Sequence, residues 1–278
     1  MRLPVPIFRK DTIYTECVLV KPKPFVIANT NKTLDQTGNF FDAMRQLLNG
    51  CIKEFKTSED ISVSDEVGIK TLIPKLPYKS AEYLGLLSVA FVSPEDDGIE
   101  GVYDCPRCRH RIISEHYQKD GLEYDTRDFL SKLNVSYYES ESGEQDFEFS
   151  SPVQIVDKAS GNIAQEISSI TMKMPTLESA INAFTKMGTS DRVRLQLAQF
   201  AEAIVAVNHV PVDNKWRNNY GLYVLENPND MEDVYQISRW INQYGLDSTV
   251  EKTCSNCGKV WRPVVNTSNF FASGLQSL

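Results

Sequence analysis

The chain has 278 residues, 41% hydrophobic and 24% charged, a globular balance that excludes a disordered or fibrous polypeptide. Its net charge of −8 argues against a protein whose main task is gripping phosphate backbones. No apolar run nears the roughly 20 residues of a membrane-spanning helix, and Met1-Arg2-Leu3-Pro4-Val5-Pro6 lacks the apolar core of a secretory signal. Six cysteines are too few for a disulfide scaffold, and the expected compartment is a reducing one, where paired cysteines more often hold metal.

Residues 1–37 read as an extended segment, with Val18, Val20, Phe25 and Ile27 around Lys21-Pro22-Lys23-Pro24; such prolines suit edge strands. Phe40, Phe41, Met44, Leu47, Leu48, Cys51, Ile52 and Phe55 then make one wide stripe that predicts a helix over 39–54. After a polar break, a second helix is predicted over 80–92, with Ser80 as its N-cap and Tyr83, Leu84, Leu87 and Phe91 facing inward. The acidic turn 94–98 reverses the chain into a short strand over 99–103, which runs into Cys105.

Residues 115–148 hold ten acidic and three basic side chains, nearly the whole charge excess of the protein. Charge runs normally stay in water, so this stretch reads as a solvated, peripheral insertion with strands near Val135–Tyr138 and Phe147-Glu148-Phe149. The last third reads as helical over 176–187, 190–209 and 230–244, the last with Asn229 and Glu232 at capping-box spacing. The expected organisation is an extended segment (1–37), a helical region ending in a cysteine pair (38–114), an acidic β-rich insertion (115–165), a second helical region (166–250), and a second cysteine pair with a tail (251–278). The fold class is therefore α+β, a helical body with short β-strands and a zinc-ribbon-like element.

That element rests on Cys105-Pro106-Arg107-Cys108 and Cys254-Ser255-Asn256-Cys257-Gly258. A Cys-x-x-Cys turn aims two thiolates at one centre, and two such turns make the tetrahedral sulfur cage that Zn²⁺ prefers. Gly258 supplies the positive φ that the chain often needs after the second cysteine. The 145 residues between the pairs far exceed the spacing of a compact ribbon, so three arrangements stand open. Cys105, Cys108, Cys254 and Cys257 could form one structural zinc site; the pairs could be redox or plain buried thiols; or separate metal sites could be completed by His110, His116 or His209. Cys17 and Cys51 read as small buried hydrophobes.

Catalytic signatures are missing from the sequence. It has no Gly-x-Gly-x-x-Gly or Walker loop, no Gly-x-Ser-x-Gly elbow and no His-Glu-x-x-His helix. A non-enzymatic protein is the expectation. Arg107, Arg109 and Arg111 form a basic cluster on the first cysteine pair, and a nucleic-acid-associated zinc ribbon is the alternative reading.

The order of several features resembles a known family. The run Asn39-Phe40-Phe41-Asp42-Ala43-Met44-Arg45-Gln46-Leu47-Leu48-Asn49-Gly50-Cys51-Ile52 is followed by Leu76-Pro77-Tyr78-Lys79-Ser80-Ala81-Glu82-Tyr83-Leu84, by Tyr103-Asp104-Cys105-Pro106-Arg107-Cys108, and by Cys254-Ser255-Asn256-Cys257-Gly258 with Phe270-Phe271. This resembles the baseplate hub assembly proteins of T4-like contractile-tailed bacteriophages, over residues 39–110 and 165–271. The first 37 residues and the acidic stretch depart from the family pattern. The resemblance implies a baseplate hub component or hub assembly chaperone, made in the host cytoplasm and acting in the virion tail. Its partners would be other tail or baseplate proteins, with no small-molecule substrate and no membrane. Phe270 and Phe271, after the polar turn 266–269, are the candidate partner-binding anchor.

Overall fold

The computed structural model describes residues 1–9, 11–91, 98–120, 122–140, 142–157, 160–188 and 191–265. It is an α+β chain with two hydrophobic cores, each built on a four-stranded antiparallel sheet. No helix among the described residues is long and apolar enough to cross a membrane.

The first core begins with strands β1 (Arg2–Arg9) and β2 (Thr12–Leu19), then helices α1 (Pro24–Thr37) and α2 (Phe40–Cys51), and strands β3 (Ile52–Thr57) and β4 (Ser62–Val63). The sheet order is β1-β2-β3-β4. The extended reading of residues 1–37 holds only as far as β2. Pro24 stands at the first helical position, where its missing N–H is no loss, and Gly38 closes α1 at φ 62°, its N–H donating to the Leu34 carbonyl. Only Val26, Ile27 and Thr30 of α1 are buried, too few to show as a stripe. Helix α2 starts as its sequence demands, the Asn39 side chain accepting from the N–H groups of Phe41 and Asp42. It stops at Cys51 rather than at residue 54. Ile52 turns extended, and β3 buries Ile52, Phe55 and Thr57 while its other side chains stay more accessible.

Helices α3 (Glu66–Leu72) and α4 (Tyr78–Ala90) cover this core. Ser80 is not the N-cap of α4; Pro77 holds that position. Ser80 instead lies fully buried inside the helix and meets β1: Val5 N–H donates to Ser80 Oγ and Ser80 Oγ–H donates to the Val5 carbonyl, both at 2.8 Å. Pro4 and Pro6 have no N–H to offer, so Val5 carries the central donor of this stretch, and one hydroxyl satisfies both of its backbone groups. Leu3 and Ile7 belong to the first core and Val5 to the second. Strand β1 is thus a wedge shared by both.

The chain continues through β5 (Gly98–Ile99), β6 (Gly101–Asp104), β7 (Arg111–Ser114), β8 (His116–Lys119), β9 (Leu122–Asp125), β10 (Asp128–Phe129) and β11 (Asn134–Ser136). The acidic stretch splits in character. Hairpin β8–β9 is exposed along both strands, as a solvated insertion should be. Leu130 and Val135, by contrast, pack into the first core, and Tyr138 into the second.

The second sheet has the order β12 (Glu144–Val156), β13 (Ile163–Lys173), β14 (Ile204–Val207) and β15 (Val210–Pro211), with α5 (Leu177–Met187) and α6 (Arg192–Glu202) between β13 and β14. Strands β12 and β13 are long and bury Phe149, Val153, Ile155, Ile167, Ile170 and Met172. The single helix expected over 190–209 is a helix and a strand. After Ala203 the β-branched run Ile204-Val205-Ala206-Val207 enters the sheet against β13. His209 does not end a helix. With Asn208 it forms the two-residue turn between paired Val207 and Val210, both at positive φ, as a type I′ hairpin requires.

Beyond β15 lie α7 (Asn214–Trp216), α8 (Leu222–Glu226) and α9 (Met231–Asn242). Helix α9 is capped by Asp230, whose side chain accepts from Glu232 N–H, rather than by Asn229. Strand β16 (Gly245–Asp247) pairs with β11, and β17 (Lys252–Thr253) pairs with β18 (Val260–Trp261).

Two outcomes follow from this arrangement. Ser80→Ala leaves the buried Val5 N–H without a partner and lowers stability by about 1–3 kcal/mol, read by thermal unfolding; an unchanged melting temperature would refute the role given to the hydroxyl. Replacing 117–124 by a two-residue turn leaves solubility and melting temperature near wild type, because both strands are exposed along their length. Deleting 115–148 instead removes core residues of both halves and abolishes soluble expression.

Candidate metal centre

The two cysteine pairs sit on matching hairpins. Strands β6 and β7 carry the first, with Tyr103 opposite Ile112 and Asp104 opposite Arg111; β17 and β18 carry the second, with Thr253 opposite Val260. The turns are superposable in their hydrogen bonds. Cys105 N–H donates to the His110 carbonyl and Arg109 N–H to the Cys105 carbonyl; Cys254 N–H donates to the Lys259 carbonyl and Gly258 N–H to the Cys254 carbonyl, each at 2.9 Å. Gly258 takes φ 67° and Arg109, at the same place in the first turn, φ 59°. The glycine expected from sequence therefore has a strained counterpart that was not.

All four Sγ atoms lie within 4.8 Å of one another. Cys105 Sγ is 3.7 Å from Cys257 Sγ, and Cys108 Sγ is 3.6 Å from Cys254 Sγ. Thiolates bound at about 2.3 Å around a tetrahedral ion stand about 3.8 Å apart, so these two pairs already have the spacing of such a cage. They are well outside the roughly 2.05 Å bond of a disulfide. Cys105 and Cys254 are buried and Cys108 and Cys257 half-buried. The four together can hold one metal ion, and the soft donor set fits zinc.

The surroundings act on two of the sulfurs in opposite directions. The backbone N–H of His110 donates to Cys108 and, with the Asn256 side chain at 3.6 Å, brings its thiol down to about 6. The Lys259 N–H does the same service for Cys257, but burial and the three neighbouring sulfurs together outweigh it and push that thiol up to about 12. Bringing four thiolates this close is unfavourable until a divalent ion cancels their charge.

Polar contacts that the sequence does not reveal weld the two hairpins. Lys252, beside the second pair, donates to Ser114 Oγ at 2.9 Å and to Asp128 Oδ1 at 2.8 Å, and its ammonium lies 5.0 Å over the Tyr103 ring. Tyr103 OH donates to Asp128 Oδ2 at 2.8 Å, and burial, then the carboxylate, raises its pKa. His110 Nε2 meets Ser255 Oγ at 3.3 Å.

The histidines expected as alternative ligands are elsewhere. His110 faces Ser255, His116 lies on the exposed hairpin, and His209 is in the β14–β15 turn. Cys17 and Cys51 are buried in the first core, where burial pushes their thiols up to about 12 and about 11. Arg107, Arg109 and Arg111 are exposed, and Arg111 pairs with Asp104. Phe270 and Phe271 lie outside the described residues. No family model, curated protein or solved structure matches this chain.

The geometry sets a clear expectation. Chelation of the metal, or Cys257→Ser, lowers the melting temperature by several degrees, checked by calorimetry beside elemental analysis. Nothing lies within 4 Å of a Cβ added at Gly258, so Gly258→Ala reports backbone strain alone. It costs about 1–2 kcal/mol, whereas Arg109→Gly is neutral or stabilising.

Proposed function

We propose that the protein is a non-enzymatic assembly component: its metal centre is a structural zinc site, and its work is done by surfaces that bind other proteins. The observation that carries this reading is the closed cage. Four cysteine sulfurs converge on one point, and four-cysteine zinc sites leave no open position for water or substrate. The metal then acts as a cross-link between hairpins, not as a Lewis acid.

The resemblance of residues 39–110 and 165–271 to baseplate hub assembly proteins supports a more specific role, as a hub component or hub assembly chaperone of a contractile phage tail. The partners would be tail or baseplate proteins, met in the host cytoplasm during assembly, with Phe270 and Phe271 as an aromatic anchor.

Zinc analysis of purified protein, joined to co-purification from cells expressing a phage tail gene cluster, tests both levels. About one zinc per chain with salt-resistant capture of tail proteins is the expected result. Zinc without capture refutes the tail role but leaves the structural site standing. DNA binding that collapses between low and physiological salt would replace the reading by a nucleic-acid factor using Arg107, Arg109 and Arg111.

A further inference from the structure

Two adjoining cavities, of about 250 and 290 Å³, share Lys173, Thr176 and Glu178 in their walls. Together they make one groove where the two cores meet, a usual place for a binding site. At one end Phe8 and Met174 give an apolar floor, and this floor is tightly made. A side chain at Gly143 would strike the Phe8 ring at 2.6 Å, and that ring packs edge-on to Tyr138 at 5.8 Å.

The rest of the groove is cationic, in a protein of net charge −8. Arg9 and Lys75 line the apolar end, Lys173 the middle and Arg217 the far end. None of these four has an ion pair with a carboxylate among the described residues. Arg217 donates to the Ile204 carbonyl and to Asn214 Oδ1, so its charge is held in place without being cancelled. Lys186 is different, because Glu202 neutralises it. Glu178 in the wall and Glu144 nearby are the opposing acids. Partial burial, then repulsion from Arg217, with Lys75 adding to it, holds the Lys173 pKa below the ordinary lysine range despite those two acids.

We propose that this groove binds an extended acidic peptide of a partner protein, an apolar side chain on the Phe8–Met174 floor and carboxylates on Lys75, Lys173 and Arg217. Spaced carboxylates suit the pattern better than a phosphate backbone does, since Glu144 and Glu178 interrupt the positive track and would repel an unbroken one. A peptide main chain also finds donors there. Asn214 and Asn218 use their side-chain oxygens on Arg217 and Lys186, which leaves their Nδ2 hydrogens for carbonyls. The inference rests on the groove alone and does not depend on a phage tail being the setting.

The test is fluorescence anisotropy of the zinc-loaded full chain with a labelled short peptide of Glu and Asp around one Phe. Saturable binding is expected, weakened about tenfold or more by Lys75→Glu with Lys173→Glu and weakened again by raised salt. Lys32→Glu with Lys119→Glu, the same charge change on other exposed positions, should leave affinity within about twofold. Melting temperature and zinc content confirm that each variant is folded. Absence of saturable binding, equal loss in both double variants, or retention by the Lys75/Lys173 variant overturns the proposal. Full displacement by inorganic phosphate at a concentration matching the peptide would also overturn it, reducing the groove to a simple anion site.

Discussion

The fold depends on one long-range constraint, the convergence of four cysteine sulfurs contributed by two hairpins far apart in the chain. A metal ion held by Cys108 and Cys254 would close a loop of about 146 residues, and closing a loop of that length removes about 5 kcal/mol of chain entropy from the unfolded ensemble. That is comparable with the whole net stability of an ordinary domain. Within this loop lie the second sheet, the five helices α5 to α9 and part of the first core's lining, so the clasp ties down nearly everything that follows the first knuckle. The Lys252–Asp128–Tyr103 contacts repeat the same tie in polar form, and Lys252 and Asp128 are both mostly shielded from water.

A second constraint works without metal. Strand β1 contributes side chains to both cores, and its Pro-Val-Pro centre reduces the backbone groups that need partners until one serine can serve the central residue. The first and second cores share a strand, and the groove between them has walls from both.

The cysteine pairs and the amphipathic stripe of α2 were legible because each writes its chemistry locally, in spacing; the starts of α5 and α9 fell within a residue of their expected places, although the cap of α9 is Asp230 and not Asn229. Helix α1 was not, since its signals are a proline at the start and a glycine at the end, with only three buried residues between them. The break between α6 and β14 was hidden because Phe200, Ile204 and Val207 continue a helical spacing by coincidence; a short apolar run does not distinguish strand from helix. The acidic stretch misled for a related reason: its charges lie on exposed positions, while the apolar residues that anchor it are sparse and spread along the stretch. The Lys252 contacts lie beyond any local pattern, because the partners are more than 100 residues apart.

The separation of the two knuckles also has a temporal meaning. At roughly 5–20 residues per second, a ribosome that has just made Cys108 needs about 7–30 s to reach Cys257. Throughout that interval the nascent chain owns half a cage, two thiolates that hold an ion weakly and exchange it freely. High-affinity capture begins only when the second knuckle emerges and docks, by which time both sheets have been synthesised. Filling of a four-cysteine site so divided would therefore be a late event in biosynthesis, and an ion held firmly would mark a chain whose two halves have already met.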